Sequence, residues 1–304
     1  MRKYLIISLA LFLLFCFLQI PNIYSAAQDQ EFSPGNYNTL RIENEGKLVV
    51  PVDKIEEVWK YLLERFVNDK SFIKSLDPDL DSYWYDEYFV DVYFDSPDLK
   101  MLDKKSSVRY RRRVNLSDSG NRKSGRELVQ IKLSGIDGNI FNRGEFKFPV
   151  KPYNSFKTED DIHPLIGLID RQNRADFKEK AVCLGLDPYS LRAILTIEQR
   201  RRSIYILHKG EAFISMRLDD DSSKLLWSKW HHVEIEPELN EIPYTQGDID
   251  SREAMQKINQ KIMDDITNKF PYIKMDLTPK YNKAFEYFQK RIPLLRFLIK
   301  IKIV

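Results

Sequence analysis

The chain has 304 residues, of which 43% are hydrophobic and 31% are charged, so it is long enough to bury a full hydrophobic core. Its 48 Lys and Arg residues nearly balance its 45 Asp and Glu residues, and the formal net charge is +3. This balance argues against a nucleic-acid-binding protein, because such a protein needs a net basic surface. Any site for an anion must therefore be local.

The first 27 residues have the pattern of a secretory signal peptide. Arg2 and Lys3 precede an apolar run at 4–20, and small residues follow at 25–27. We therefore expect a secreted or periplasmic protein. The run has 17 residues, so an uncleaved membrane anchor at 4–20 is the alternative. A cleaved chain keeps only Cys183, which excludes an internal disulfide and favours a small buried hydrophobe at that position.

The remaining pattern predicts strands with helices inserted between them, after a loose linker at 28–38. The predicted strands are 39–50, 87–95, 107–115, 127–134, 143–150, 195–208, 212–220 and 231–238. The predicted helices are 53–66 with Asp53 as its N-cap, 159–185, 248–270 and 280–291. The polar segment 68–86 predicts a loop with a short helix. Eight long strands with short connections indicate an α+β fold, in which an antiparallel barrel closes with helices packed outside.

Charged side chains alternate along the predicted strands and therefore share one face. On the first strand, Glu43, Glu45 and Lys47 occupy alternate positions, which an extended strand sends to one side. A solvated sheet face explains any single strand, but it usually mixes in uncharged polar residues. Taken over all strands, the pattern predicts a barrel with a charged lumen. The predicted lumen residues are Arg41, Glu43, Glu45, Lys47, Arg109, Arg111, Arg113, Gln130, Lys132, Arg143, Glu145, Lys147, Glu198, Arg200, Arg202, Arg217, Asp219, Glu234, Glu236 and Glu238.

A lumen of this composition indicates a phosphate polyanion and a divalent cation as its ligands. Forked arginine side chains suit phosphate oxygens. Glutamates do not contact phosphate directly, but Mg²⁺ or Mn²⁺ takes carboxylate and phosphate oxygens together. His231 and His232 point to opposite faces of a strand, which excludes joint chelation. The three aspartates at 219–221 are expected to lie half in a turn, and by parity only Asp219 is expected to face the lumen.

These motifs resemble those of the CYTH domain, or triphosphate tunnel metalloenzyme, superfamily and of the related polyphosphate-polymerase (VTC) domain. Residues 43–47 (Glu-Asn-Glu-Gly-Lys) are similar to the E-x-E-x-K signature of the superfamily. Residues 93–98, 108–111 and 279–281 resemble further signature segments, and the resemblance covers about 39–290. Pro237 departs from the pattern and predicts an early end to the last acidic strand.

The resemblance implies an eight-stranded tunnel that binds and hydrolyses triphosphate or polyphosphate with Mg²⁺ or Mn²⁺. The metal ligands that it implies are Glu43, Glu45, Glu234 and Glu236. The phosphate-binding residues that it implies are Lys47, Arg109, Arg111, Lys132, Arg143, Arg200, Arg202 and Lys280. The catalytic residues that it implies are Glu45, Glu145 and Asp219, the last two as metal ligands or as residues that orient water.

We expect a secreted hydrolase of inorganic triphosphate, polyphosphate or a nucleoside triphosphate. Three alternatives stay open: a polyphosphate polymerase, since 195–205 resembles the VTC branch; an adenylate cyclase; and a non-catalytic polyphosphate-binding module. The signal peptide counts against the first two, since both need nucleotide inside the cell. A tail at 291–304 alternates basic and apolar residues, which predicts a segment on a membrane surface or one packed on the barrel.

Overall fold

The computed structural model describes residues 41–115, 124–135, 141–150 and 158–303. The predicted signal peptide, the linker at 28–38 and the first two residues of the predicted first strand lie outside these ranges. No helix within them is long and apolar enough to cross a membrane.

The strands form one antiparallel sheet that closes on itself. They are β1 (Arg41–Glu45), β2 (Leu48–Val50), β3 (Leu80–Asp95), β4 (Ser107–Asn115), β5 (Ser124–Lys132), β6 (Phe141–Pro149), β7 (Arg192–His208), β8 (Glu211–Leu225), β9 (Ser228–Leu239) and β10 (Lys274–Met275). The order is β1-β6-β5-β4-β3-β7-β8-β9-β2-β10, and β1 also pairs with β9, which closes the ring. Because β1 and β2 are two halves of one interrupted strand and β10 is a two-residue addition, the barrel has eight strands, as predicted.

The interruption between β1 and β2 explains why a proline is tolerated in β9. Gly46 N donates a hydrogen bond to Pro237 O over 2.8 Å, and a Cβ on Gly46 would lie 2.9 Å from Met263 Sδ. Pro237 has no N–H to donate, but it lies where the neighbouring strand is broken, so no ladder hydrogen bond is missed. The prediction that Pro237 ends the strand early is wrong, since β9 continues to Leu239.

Most of the helices in the described residues cover the outer face of the barrel. They are α1 (Ile55–Leu63), α2 (Ser71–Leu76), α3 (Lys100–Asp103), α4 (Glu159–Ile162), α5 (Arg174–Cys183), α6 (Glu241–Gln246), α7 (Ile249–Lys269), α8 (Lys280–Gln289) and α9 (Leu295–Lys300). The predicted helices at 248–270 and 280–291 are confirmed as α7 and α8. The predicted tail forms α9, which buries Leu295 and Ile299 against α8.

Four predictions about the outer elements are wrong. Asp53 lies in a 3-10 turn (Val52–Lys54), and no side chain in the described residues caps that turn or α1. The segment 68–86 contains the expected short helix, but β3 begins at Leu80, because its whole length pairs with β7. The region 159–185 breaks into α4, two 3-10 turns and α5, and Cys183 is exposed rather than buried.

Two apolar clusters join the outer helices to the sheet. In the first, Val58 of α1 and Ile262 of α7 pack with strand residues such as Ile204. In the second, Phe177 of α5 meets Phe148 of β6 edge-on, with ring centroids 5.3 Å apart. Because these apolar side chains face outward, the alternate positions of the same strands face the lumen.

A third cluster closes one end of the barrel. Tyr281 of α8 stacks on Tyr93 of β3, with centroids 5.0 Å apart and rings 5° from parallel. Tyr93 and Ile197 occupy strand positions whose side chains face the lumen. Both are buried together with Phe285 and Phe288 of α8. Helix α8 therefore plugs the lumen at what we call the closed end.

Candidate functional site

The predicted charged lumen is present. Its buried cationic residues are Lys47, Arg109, Lys132, Arg143, Arg201 and Lys280, and its buried acidic residues are Glu45, Glu87, Asp91, Glu145, Asp219, Asp221, Glu234 and Glu236. A buried charge costs several kcal/mol unless it is paired. The pairing of these groups therefore determines what the lumen can bind.

One side of the lumen is predominantly acidic. We define the acidic wall as five carboxylates on three adjacent strands, Glu45 of β1, Asp219 and Asp221 of β8, and Glu234 and Glu236 of β9. Two lysines neutralise much of it. Lys47 Nζ lies 3.3 Å from Glu45 Oε1 and 3.4 Å from Glu234 Oε1, and it pairs most closely with Glu236. Lys280 Nζ, from the first turn of α8, pairs with Asp219 and lies 3.2 to 3.6 Å from Asp221, Glu234 and Glu236.

The pKa values of the carboxyls in the acidic wall are shifted in opposite directions. Burial raises the pKa of Glu45 above its ordinary value despite Lys47, and Glu236 adds to the rise. Burial also raises the pKa of Asp221 well above its ordinary value, although Lys280 opposes it. In Glu234 the effect of burial is outweighed by Lys47, Lys283 and Lys280, so its pKa is lowered. In Glu236 it is outweighed by Lys280, Lys47 and Arg201, which lower the pKa well below its ordinary value. The cations of the lumen therefore favour ionisation of Glu234 and Glu236 more strongly than that of Glu45 and Asp221.

Asp221 is incompletely satisfied. Within the described residues, neither of its carboxylate oxygens accepts a hydrogen bond, although Lys280 Nζ is 3.2 Å away. Gln199 Nε2 and Ser203 Oγ of β7 are also buried without a hydrogen-bond partner in that part of the chain. Buried polar groups in proteins are almost always hydrogen-bonded. The lumen is therefore suited to a polar ligand that completes these contacts.

The opposite side of the lumen is predominantly basic. We define the basic wall as Arg109 and Arg111 of β4, Lys132 of β5 and Arg143 of β6. Asp91 accepts hydrogen bonds from Arg109 Nη1 (3.0 Å) and from Arg111 Nε (2.7 Å) and Nη2 (2.6 Å). Burial would raise the pKa of Asp91, but the two arginines lower it to about 2. Arg109 Nε also donates to Gln130 over 2.8 Å, so both guanidinium groups are held in fixed orientations.

The four predicted metal ligands do not all lie together. Glu45, Glu234 and Glu236 share Lys47, whereas Glu43 accepts hydrogen bonds from Lys132 of the basic wall over 2.8 and 2.5 Å. Burial would raise the pKa of Glu43, but the charges of Lys132 and Lys147 outweigh burial and lower it. Glu43 therefore belongs electrostatically to the basic wall.

The predicted orientation of β7 is wrong. Arg201 faces the lumen and donates to both oxygens of Asp219 (2.7 and 2.6 Å) and to Glu236 (2.9 Å). Arg200 lies outside, where its half-exposed side chain pairs with Asp86 over 2.7 Å. Arg202 also lies outside, 5.0 Å from the Trp59 ring centroid. Neither Arg200 nor Arg202 is therefore positioned to bind a ligand in the lumen. The phosphate-binding role that the family resemblance implies for them fits Arg201 instead.

A signal for this orientation was present in the sequence. Ile204 and Ile206 have the same parity as Arg202, and both pack with α1 on the outside of the barrel. Three consecutive arginines leave the parity open, but the isoleucines that follow determine it. The placement of Glu198 is corrected by the same argument, since it hydrogen-bonds Tyr88 at the surface.

The structure also extends the predicted acidic set. Because β8 continues to Leu225, Asp221 shares the lumen face with Asp219, and the expected turn at 219–221 is absent. Arg217 pairs with Glu238 further along the same face. The prediction for the histidine pair is confirmed: His231 contacts Asp220 outside (2.7 Å), whereas His232 contacts Glu234 in the lumen (2.9 Å).

The donor set of the acidic wall fits a hard divalent cation, since it offers only carboxylate oxygens. The Lys47 ammonium lies among three of these carboxylates, so a metal ion would have to displace it. Elsewhere in the described residues, Asp77, Asp79 and His208 bring ligand atoms within 4.8 Å of one another. That group is at least partly exposed and lies at the ends of β3 and β7, outside the lumen.

The fold and the lumen define a class of protein: a closed antiparallel tunnel with a charged interior, plugged at one end by a helix. The family model of the CYTH domain matches residues 55–264, which is more than two thirds of the chain, and the protein belongs to this family. No curated protein matches the chain.

Several solved structures resemble it at low identity. A protein of Pyrococcus horikoshii OT3 has 14% identity and a TM-score of 0.45, covering 81% of this chain and 99% of its own. A putative adenylyl cyclase of Hippeastrum, described as having a dominant triphosphatase activity, has 12% identity and a TM-score of 0.45, covering 80% and 95%. The Mimivirus capping enzyme triphosphatase has 15% identity and a TM-score of 0.37, covering 79% and 97%. Membership of the family rests on the family model rather than on these similarities.

Proposed function

We propose that this protein is a metal-dependent phosphohydrolase that holds the phosphate chain of inorganic triphosphate, polyphosphate or a nucleoside triphosphate in its lumen. The observation that carries the proposal is the division of one buried lumen into an acidic wall and a basic wall. A phosphate chain complexed with a divalent cation has the same two needs, cationic donors for its oxygens and carboxylates for its metal. Membership of the CYTH family supports this proposal.

The basic wall would bind the phosphate oxygens. Asp91 and Gln130 orient Arg109 and Arg111 before any ligand arrives, so little side-chain entropy is lost on binding. Guanidinium groups bind phosphate oxygens in a bidentate geometry. Lys132 and Arg143 extend the wall to the next two strands. Arg201, which reaches the lumen from β7, would contact the same ligand.

The acidic wall would hold the cation through Glu45, Glu234 and Glu236, with Asp219 and Asp221 adjoining. A divalent cation bound there would neutralise charge on the transferred phosphoryl group and lower the pKa of a bound water. Lys47, when displaced from its carboxylates, remains within the lumen and would turn its ammonium group to a phosphate oxygen. The same lysine would thus neutralise the wall in the free protein and bind the substrate in the complex.

Two carboxylates are suited to orient the attacking water. Asp219 is held by Arg201 and Lys280, and Glu145 accepts a hydrogen bond from Gln130 over 2.7 Å. Both are completely buried, so a water bound to either would be shielded from bulk solvent. Fixed carboxylates of this kind position a nucleophile without reorganisation during the reaction.

One assay tests the proposal and its alternatives together. Residues 28–304 are incubated with tripolyphosphate, long-chain polyphosphate and ATP in parallel, each with Mg²⁺, Mn²⁺ or EDTA. We expect release of phosphate with at least one substrate, dependent on the metal. Tight metal-dependent binding without release would instead indicate a binding module. Chain growth from ATP would indicate a polymerase, and cyclic AMP would indicate a cyclase.

We also propose that the protein is secreted or periplasmic, on the basis of residues 1–27. Mass spectrometry of the protein purified from its native host tests this prediction. A mature N-terminus near residue 28 supports secretion, whereas an intact N-terminus in the membrane fraction supports the anchor at 4–20.

A further inference from the structure

The closed end of the barrel carries an exposed apolar surface that takes no part in the lumen. Its residues in and beside α9 are Leu294, Phe297, Ile301 and Ile303, with exposed fractions of 74%, 54%, 45% and 64%. We call these four residues the C-terminal surface. On the opposite side of the same segment, Leu295 and Ile299 are buried against α8. One face thus fixes the segment to the barrel, and the other presents large apolar side chains to solvent.

A second exposed apolar point lies at the same end. The hairpin between β8 and β9 carries Leu226 and Trp227 at its tip, with exposed fractions of 42% and 70%. Next to the tip, Trp230 belongs to the buried cluster that contains Leu295, and the partly buried Leu225 packs against that cluster. The tip and the C-terminal surface therefore extend from one cluster. Trp is a side chain that is enriched at membrane–water interfaces.

The charges around this apolar surface are mostly basic. Residues 287–303 contain no acidic residue and five basic ones, all exposed: Lys290, Arg291, Arg296, Lys300 and Lys302. Asp103 of α3 neutralises one of them, since Arg296 Nη2 lies 2.8 Å from it. Lys224 and Lys229 add exposed charges beside the hairpin tip. An apolar surface surrounded by basic residues complements an anionic lipid interface.

We propose that the closed end of the barrel docks on an anionic lipid surface. The C-terminal surface and Trp227 enter the headgroup region, and the surrounding lysines and arginines lie against lipid phosphates. A second copy of the chain is a poorer occupant, because pairing two such surfaces would bring like charges together. Since α8 lies between this surface and the lumen, docking leaves the opposite end of the barrel facing solution, from which a soluble polyanion would enter.

The test uses residues 28–304, which retain the whole compact unit Tyr37–Val304 and lack the apolar run at 4–20 that would itself bind lipid. The protein is sedimented with phosphatidylcholine vesicles that contain or lack phosphatidylserine. We expect binding only to the anionic vesicles and a loss of binding as salt is raised, because salt screens exposed charges. Absence of binding to anionic vesicles at low salt would overturn the proposal.

Two matched double variants make the test specific. Leu294→Glu with Phe297→Glu should lower the vesicle-bound fraction about tenfold, since it places two charges in the interfacial face. Ile162→Glu with Ile249→Glu changes two residues that are each 71% exposed elsewhere, and it should bind as the wild type does. Equal loss in both variants would contradict the proposal. So would a wild-type dimer in analytical ultracentrifugation that only the first variant abolishes, because the surface would then join two copies.

Discussion

The two walls of the lumen differ in how their charges are neutralised. In the basic wall, Arg109 and Arg111 form bidentate or multiple hydrogen bonds to Asp91 and Gln130 on neighbouring strands. In the acidic wall, Lys47 and Lys280 approach several carboxylates at once, most of them at 3.2 to 3.6 Å. The guanidinium groups are fixed in the strand framework, whereas the ammonium groups are point charges on flexible stems.

This difference suggests separate tasks for the two walls. A fixed basic wall can recognise a phosphate chain without rearrangement. In the proposed function, the acidic wall, whose lysines are each shared among several carboxylates, would exchange an ammonium group for a metal ion when substrate arrives. Substitutions in the two walls should therefore have different consequences, and each of the following experiments compares a lumen residue with a matched position or property.

The largest effect is expected from Glu236→Gln in the acidic wall. Glu236 contacts Lys47, Arg201 and Lys280, so it links the proposed metal site to the proposed phosphate site. The isosteric amide should lower metal-dependent phosphate release by about 100-fold or more. Glu198→Gln makes the same change on the outside of β7 and should leave the rate within about twofold. Near-normal release by Glu236→Gln would contradict the metal assignment.

Asp91→Asn should chiefly affect stability. Removing the charge leaves Arg109 and Arg111 buried with a weaker partner, so the free energy of unfolding in urea should fall by about 3 kcal/mol at pH 7. Asp86→Asn, which alters an arginine partner on the outer face of the same strand, should change it by less than about 1 kcal/mol. Similar losses in the two variants would show that the basic wall is no more rigid than the surface.

The stabilisation that the Asp91 carboxylate provides has a defined pH dependence. The pKa of Asp91 is lowered from 3.8 in the unfolded chain to about 2 in the folded protein. Its contribution to the free energy of unfolding is therefore complete above the unfolded pKa. That contribution is lost as pH falls from about 4 through about 2, and it amounts to about 2 kcal/mol. The wild type should therefore lose more stability than Asp91→Asn over this interval. Equal losses would contradict the ion pairing described for Asp91.

Arg111→Ala should weaken substrate binding by a smaller factor. One charge-assisted contact to phosphate contributes about 1.5–3 kcal/mol, which corresponds to a rise in KM of about 10-fold or more. The neighbouring Arg112 is exposed, so Arg112→Ala is the matched control and should leave KM within about twofold. A larger effect from Arg112 than from Arg111 would reverse the assigned strand faces.

Lys47→Met should give the smallest change in affinity, with opposite signs for the metal ion and for the phosphate substrate. Without the ammonium group, the carboxylates should bind Mn²⁺ about tenfold more tightly in the free protein, because a competing charge is removed. Tripolyphosphate should bind more weakly, because a phosphate donor is lost. Isothermal titration calorimetry measures both affinities. Weaker Mn²⁺ binding would indicate that Lys47 does not compete with the metal ion.

Much of the fold followed from residue patterns. The parity of charges predicted the barrel and most of its lumen, because a strand has a period of two and the outer helices need an apolar face. The errors arose where the alternation of residues along a strand did not determine which side chains face the lumen. Three consecutive arginines at 200–202 fit either strand face, and the three consecutive aspartates at 219–221 resemble a turn although they lie within β8.

The pairing within the lumen was less predictable than its composition. Nothing in the spacing indicates that Glu43 turns to Lys132 while Glu45 turns to Lys47, since both glutamates share a strand face. The choice depends on which strands become neighbours when the barrel closes, with β6 on one side of β1 and β9 on the other. These pairings join residues 96 to 104 positions apart between β1 and β6 and 193 positions apart between β1 and β9, beyond the reach of local patterns.

Anomalous diffraction from crystals soaked with Mn²⁺ and a non-hydrolysable triphosphate analogue tests the central claim most directly. We expect a manganese peak coordinated by Glu45, Glu234 and Glu236, with Lys47 turned to a phosphate oxygen and Arg109 and Arg111 on the remaining oxygens. A peak only at Asp77, Asp79 and His208, or an analogue bound outside the lumen, would contradict the account.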